Sequence, residues 1–298
     1  MPKRVATIDL GSNSCVLLVL EARAGRVERV TSELAITRLG QGLDASGDLS
    51  DEAIKRSLVA LERFAVRAKG LGVSEIHAVG TAALREARNQ DVMIQGAHRF
   101  GIALRPITGA EEASLSFSAA QNGASADCVV IDVGGASTEF AWGGASGLQG
   151  RVSLKVGSVR LHERFSLEAP MTHRTQERLM DACRMALSEV PTSLAGPMVA
   201  VAGTATTAAQ IHLGLPAYDP DRLDQQVLTR EDLMAMLEAL AVRSVAERMV
   251  TFGLPEGRAD VLPAGLSLLL AALERLGLKQ LTVRDRGVAW GEGLRHLA

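Results

Sequence analysis

Apolar residues dominate positions 4–10, break at a small polar turn, and dominate again over 16–22. A third such segment occupies 26–34. These positions predict a strand, its hairpin partner and a third strand. The period then changes. Ile54, Leu58, Leu61 and Ala65 recur at helical spacing behind Ser50, a good N-cap. Asp51 and Glu52 suit the positive helix end, and Gly70 closes the helix. Strands at 76–79 and 102–107 then alternate with helices at 81–87 and 108–118. The polar stretch 121–127 interrupts this rhythm and is the expected lobe boundary. Beyond it come a buried strand at 128–133, a helix near 176–189, a strand at 198–202 and a helix from about Thr206. Helices near 230–240 and 262–275, a strand at 280–283 and a short helix close the chain. Alternating strands and helices over 298 residues predict an α/β protein of about two domains.

Composition narrows the chemistry. Hydrophobic residues make up 47% of the chain, enough for a substantial core. The formal net charge is −2, so any anion site must be a local gathering of cations and backbone N–H groups. Aromatics at 3% argue against a base-stacking platform, so nucleic acid is not an expected partner. Cys15, Cys128 and Cys183 lie far apart, a sparse odd set that suits a reducing compartment and no zinc site. Each reads as a small buried apolar residue. The N-terminal apolar run is short and broken by Asp9, unlike a signal peptide. The run at 266–272 is far below spanning length. A cytoplasmic location and no membrane partner are expected.

Two segments resemble each other. Thr7-Ile8-Asp9-Leu10-Gly11-Ser12-Asn13-Ser14 and Val130-Ile131-Asp132-Val133-Gly134-Gly135-Ala136-Ser137-Thr138 each carry one Asp in an apolar strand, then a small-residue turn and a second strand. A buried Asp is costly unless paired or near a metal or water. Glycine lets backbone N–H groups approach an anion, hydroxyls add donors, and Asp holds a hydrated cation. Each segment alone also fits an ordinary hairpin turn. The repeat favours paired phosphate-and-metal loops. A third loop, Val201-Ala202-Gly203-Thr204-Ala205-Thr206, runs from a strand into a helix and offers free N–H groups at its start. Neither a Walker motif nor a Gly-x-Gly-x-x-Gly after a strand is present.

Thr108 and Glu111 have capping-box spacing, which gives Glu111 a structural task at the helix start. Glu112 is left free in the same turn, where the dipole favours its ionised form. It is the candidate base for a water attacking a terminal phosphoryl group. Arg85, Arg258 and Arg286 are candidate clamps on the phosphate oxygens.

At this point the residues resemble a known family. Residues 8–14, 80–89, 107–113 and 130–139, with 38–43 and 157–161, resemble in order and spacing the motifs of the exopolyphosphatase and guanosine pentaphosphate phosphatase (Ppx/GppA) family. The resemblance covers nearly the whole chain. It implies the actin-like, ribonuclease H-like duplicated α/β fold, with lobes at 1–122 and 123–289, a terminal helix packed back on the first lobe and an interlobe active-site cleft. It implies Mg²⁺, a polyphosphate or pppGpp substrate, and a homodimer. The family's catalytic glutamate falls on Glu112, with Arg85 beside the reacting group. Its metal- and phosphate-loop acids fall on Asp9, Asp132 and Glu139. Substrate contacts fall on Ser12, Asn13, Ser14, Gly134, Gly135, Ser137, Gly203, Thr204 and Arg258. Three departures stand out: Ala136 replaces the family's third loop glycine, Ala289-Trp290-Gly291 follows the segment carrying Arg286, and the helical HD-type extension of longer members is not expected. An actin-like sugar or acetate kinase and a non-catalytic nucleotide-sensing module are the competing readings.

Overall fold

The computed structural model describes residues 3–121 and 126–297. It divides into two compact units, residues 3–115 with 288–297, and 116–287 within the described range. The first division falls within the helix Gly109–Gln121 and the second at the start of the helix Val288–Leu297; residues 122–125 of the polar stretch lie outside the described residues.

The first unit opens with β1 (Lys3–Leu10), β2 (Ser14–Arg23) and β3 (Arg26–Ile36), an antiparallel meander. A one-turn α1 (Leu43–Ser46) leads to α2 (Asp51–Gly70), where Ser50 accepts the Ala53 N–H as its N-cap. Then come β4 (Ile76–Gly80), α3 (Ala82–Glu86), α4 (Gln90–Arg99), β5 (Ile102–Pro106) and α5 (Gly109–Gln121). β4 pairs parallel with β1, and β5 parallel with β4, giving the order β3-β2-β1-β4-β5. Phe64 of α2, Met93 of α4, and Leu17 and Ile102 of the sheet form the core on one face. The sequence pattern hides α4 because Gly96 interrupts it. A Cβ there would lie 2.5 Å from Leu58 Cδ2, so the glycine is what lets α4 pack against α2.

The second unit repeats the plan with β6 (Cys128–Val133), β7 (Thr138–Gly144), β8 (Gly147–Leu154), α6 (Ser158–Phe165), α7 (His173–Ala186), β9 (Met198–Val201) and α8 (Ala202–His212). It continues through α9 (Pro220–Leu223), β10 (Val227–Thr229), α10 (Arg230–Ala241), α11 (Val245–Phe252), α12 (Leu262–Leu276) and β11 (Gln280–Val283). The sheet order is β10-β11-β9-β6-β7-β8. Read from β8 to β11, it matches the first sheet strand for strand: an antiparallel meander, then two parallel additions. Only the antiparallel edge strand β10 is extra. This duplicated topology is the actin-like α/β fold. Val129, Ile131, Leu266, Leu269 and Leu273 anchor the second core.

The last helix, α13 (Val288–Leu297), belongs to the first unit. Its Ala289 carbonyl accepts the Thr7 hydroxyl at 2.8 Å, and Gly293 lies close to Leu20.

Candidate active site

The repeated motif folds the same way in both units. After β1, Gly11 N–H donates to the Ser14 carbonyl at 2.9 Å; after β6, Gly134 N–H donates to the Ser137 carbonyl at 3.0 Å. A Cβ on either glycine would fall 2.9 or 3.0 Å from that same oxygen, so the tight turn itself demands glycine.

In the first unit, Ser12 and Asn13 are buried while Asp9 and Ser14 are half-buried. Ser12 Oγ accepts Ala83 N–H at 3.2 Å, tying the turn to the start of α3. The Asn13 carbonyl accepts Thr37 and Arg38 N–H groups at 3.1 and 2.9 Å. Burial, with the Asp9 charge, pushes the neighbouring Cys15 thiol far up. That thiol is inert, as are buried Cys128 and Cys183.

The first turn of α5 corrects two expectations. Glu112 is not left free: it is 5% exposed, and its Oε2 accepts Arg85 Nη1 at 3.2 Å. The same nitrogen donates to the Ile107 carbonyl at 2.7 Å. A carboxylate this buried needs such a cation to stay ionised. Glu111 does take a structural task, but only half of a capping box is observed. Its N–H donates to Thr108 Oγ1 at 3.1 Å, while its carboxylate pairs with Arg105 at 3.0 Å and Arg295 at 2.7 Å. Burial raises the Glu111 carboxyl, but the bonds from Arg295 and Arg105 outweigh it and hold the group below the usual range.

In the second unit, Asp132 and Glu139 stand directly opposite each other on β6 and β7. Opposed residues of an antiparallel pair share one face of the sheet. Both acids are buried, at 5% and 1% exposure. Burial pushes the Asp132 carboxyl up, and a 2.7 Å bond from Ser116 Oγ opposes that shift without cancelling it. Glu139 Oε1 accepts Ser153 Oγ at 2.7 Å. Gly135, Ala136 and Ser137 are buried between them in sequence, and Gly134 is half-buried. The loop accommodates Ala136 without a left-handed φ. The Gly134 and Gly135 carbonyls accept the Ser158 and Val159 N–H groups at 2.9 and 2.8 Å, and the Ala136 carbonyl accepts Arg160 Nε at 2.6 Å.

The third loop is shorter than expected. β9 ends at Val201 and α8 begins at Ala202, which takes a left-handed φ of 65°. Gly203 and Thr204 therefore lie in the first turn of α8, where N–H groups are free of helical partners. Thr204 Oγ1 donates to the Val133 carbonyl at 3.3 Å, linking this turn to the Gly134 loop. Arg258 lies against Gly203 so closely that a Cβ there would be 2.3 Å from its guanidinium. Burial lowers Arg258 to about 10, with Tyr218 opposing, and it remains charged at neutral pH. Arg286 lies between β11 and α13, next to Arg284, which pairs with Asp224 at 2.9 Å.

Among the described residues, no three His, Cys, Asp or Glu side chains gather into a ready-made metal cage. The Asp132–Glu139 pair nevertheless fits Mg²⁺. Both are hard oxygen donors buried on one face of the sheet, and a hard cation would offset the cost of burying their charge. Mg²⁺ is commonly held by one or two carboxylates together with substrate phosphates and water. Ser116 escaped the sequence reading, and Arg160 entered it only as part of the 157–161 motif, without a role. Ser116 follows Glu112 by four residues, the spacing of one helix face, and that was the available signal.

The sequence model of the Ppx/GppA phosphatase family matches residues 18–296. The chain is 35% identical to Exopolyphosphatase 2 of Mycobacterium tuberculosis H37Rv, over 98% of both chains. It is 33% identical to a guanosine-5'-triphosphate,3'-diphosphate pyrophosphatase of Vibrio atlanticus, covering 99% of this chain and 59% of that one. Among solved structures, a Ppx/GppA family member of Aquifex aeolicus superposes with a TM-score of 0.84 at 27% identity, covering 100% of this chain and 98% of that one. An exopolyphosphatase of Cytophaga hutchinsonii superposes with a TM-score of 0.90 at 25% identity, covering 99% and 98%. With matching turns in both units, a buried glutamate at the head of α5 and relatives along its full length, this chain belongs to the Ppx/GppA phosphatase family.

Proposed function

We propose that the protein is an exopolyphosphatase that removes orthophosphate from the end of inorganic polyphosphate. The observation that carries this reading is the buried Glu112–Arg85 pair at the head of α5. Arg85 keeps Glu112 ionised and aimed, so Glu112 can take a proton from water. The water oxygen attacks the terminal phosphorus, the bridging P–O bond breaks, and the shortened chain leaves with that electron pair. The small-residue turns at Ser12–Ser14 and Gly134–Ser137, the α8 start at Gly203–Thr204, and Arg258 supply N–H, hydroxyl and guanidinium donors to phosphate oxygens. Asp132 and Glu139 would hold Mg²⁺, with Asp9 as a further acid. When bound, the ion supplies charge neutralisation for the phosphates.

Hydrolysis of pppGpp is the second reading, supported by the name of the Vibrio relative. Both reactions split a terminal phosphoanhydride, and the same residues serve either. A cytoplasmic location and a homodimer complete the proposal. No helix among the described residues is long and apolar enough to cross a membrane. Light scattering of the purified chain tests the dimer.

The deciding experiment is orthophosphate release from polyphosphates of several lengths, pppGpp and ATP, with and without Mg²⁺. Mg²⁺-dependent release from polyphosphate is expected. Turnover of ATP that requires an added alcohol or carboxylate acceptor would make the protein a kinase instead. Binding without any turnover would make it a sensor.

A further inference from the structure

One buried hydroxyl has no part in the reaction just described. Ser116 is 1% exposed and stands on α5 between Leu115 and Phe117, at 1% and 4%. A helical serine commonly returns its hydroxyl to the carbonyl one turn back. Ser114, two residues earlier, does so, donating to the Ala110 carbonyl at 2.7 Å. Ser116 instead reaches out of its helix to Asp132 Oδ2 on β6, also at 2.7 Å. The facing acid has a matching arrangement, with Ser153 of β8 on Glu139 Oε1. Each of the two opposed carboxylates thus has one oxygen fixed by a serine from another element.

We propose that Ser116 is a positioning residue that fixes the Asp132 rotamer and presents its carboxylate to a divalent cation. This rests on the reading of Asp132 as a cation ligand. A hydroxyl that donates to one carboxylate oxygen selects a rotamer and leaves acceptor capacity on the other. Partners of this kind, one step behind the ligand, typically carry a 10- to 100-fold effect on metal affinity. A purely structural tie between α5 and β6 would act differently. Its loss would lower the melting temperature and leave cation binding unchanged.

The test is an electron paramagnetic resonance titration of Mn²⁺ on the full chain without substrate, paired with thermal melts. Ser116→Ala should weaken Mn²⁺ binding about 10-fold or more. Asp132→Asn should remove it, and adding Ser116→Ala to Asp132→Asn should change nothing further. If Ser116→Ala binds Mn²⁺ as the native chain does while Asp132→Asn does not, the positioning role is overturned and the ligand reading stands. If Asp132→Asn binds normally, or the native chain binds no Mn²⁺, both are overturned. Should Ser116→Ala fail to fold, Ser116→Cys keeps the volume with a weak donor. Native-like Mn²⁺ affinity in that variant would equally overturn the role.

Discussion

A single nitrogen, Arg85 Nη1, donates both to the Ile107 carbonyl at 2.7 Å and to Glu112 Oε2 at 3.2 Å. It ties α3 to the entry of α5 and sets a guanidinium against a buried carboxylate. Glu112→Gln keeps the shape and removes the base. Phosphate release should fall by on the order of 100-fold or more with the melting temperature nearly unchanged. Native-like turnover would remove Glu112 from the mechanism.

Arg85→Ala should behave differently. It removes the Arg85 guanidinium from a carboxylate that is only 6% exposed in its side chain. The cost should be on the order of 3 kcal/mol in urea unfolding, because a buried carboxylate loses a cation at hydrogen-bond distance. Adding Glu112→Gln to Arg85→Ala should recover part of that stability. If the double variant is as unstable as the sum of the singles, the two side chains are not coupled.

Glu111 supplies a pH test. Its folded carboxyl lies below its ordinary value of 4.5, held down by Arg295 and Arg105. A depressed carboxyl adds stability that is present above the unfolded pKa and lost as pH falls through the folded one. The three side chains are 27%, 44% and 46% exposed, so solvent screens them. The contribution should be about 1 kcal/mol or less. Glu111→Gln should therefore cost that much at pH 7, and the cost should vanish as unfolding is measured at pH values progressively below about 4.5. A cost that stays constant down to pH 3 would show that the network carries no charge-dependent stability.

Why some of this was legible in the chain and some was not follows from range. The two turns are local chemistry: an apolar strand, a glycine that no Cβ can replace, and a serine three residues on whose carbonyl closes the turn. Such features announce themselves in a few consecutive residues. The partners of Glu111 do not, because Arg295 is 184 residues away and nothing local points to it. The pairing of Glu112 with Arg85, 27 residues apart, was hidden in the same way. The start of α8 lies four residues before the expected Thr206 because Val199–Ala202 reads as an apolar strand and Gly203 as a turn, yet Ala202, at a left-handed φ, already opens the helix. Ser116 carries no local signal of its partner, because Asp132 lies 16 residues on, in β6.

Gly265 of α12 leaves room for Thr204. A Cβ there would meet Thr204 Cγ2 at 2.6 Å and Oγ1 at 2.7 Å. Threonine is stiff about its first side-chain torsion, so it yields poorly. Gly265→Ala gains up to about 1 kcal/mol of helix propensity but overpacks by about 1–3 kcal/mol, for a net loss near 1 kcal/mol. In a Thr204→Ala background the same change should become neutral or stabilising. An equal cost in both backgrounds would show that Thr204 is not the obstacle.

Gly203 presents the opposite case. A Cβ there would lie 2.3 Å from both terminal nitrogens of Arg258 and 2.5 Å from Cζ. These atoms end a long flexible side chain, so the clash is relieved by moving the guanidinium rather than the backbone. Gly203 also has no left-handed φ, and alanine suits a helix better than glycine. Gly203→Ala should therefore leave the melting temperature unchanged or slightly higher. Phosphate release should fall about 10- to 100-fold, because one phosphate donor has been displaced. In an Arg258→Ala background the same substitution should raise stability without further loss of activity. If Gly203→Ala alone retains full turnover, Arg258 does not act from the position it holds against α8.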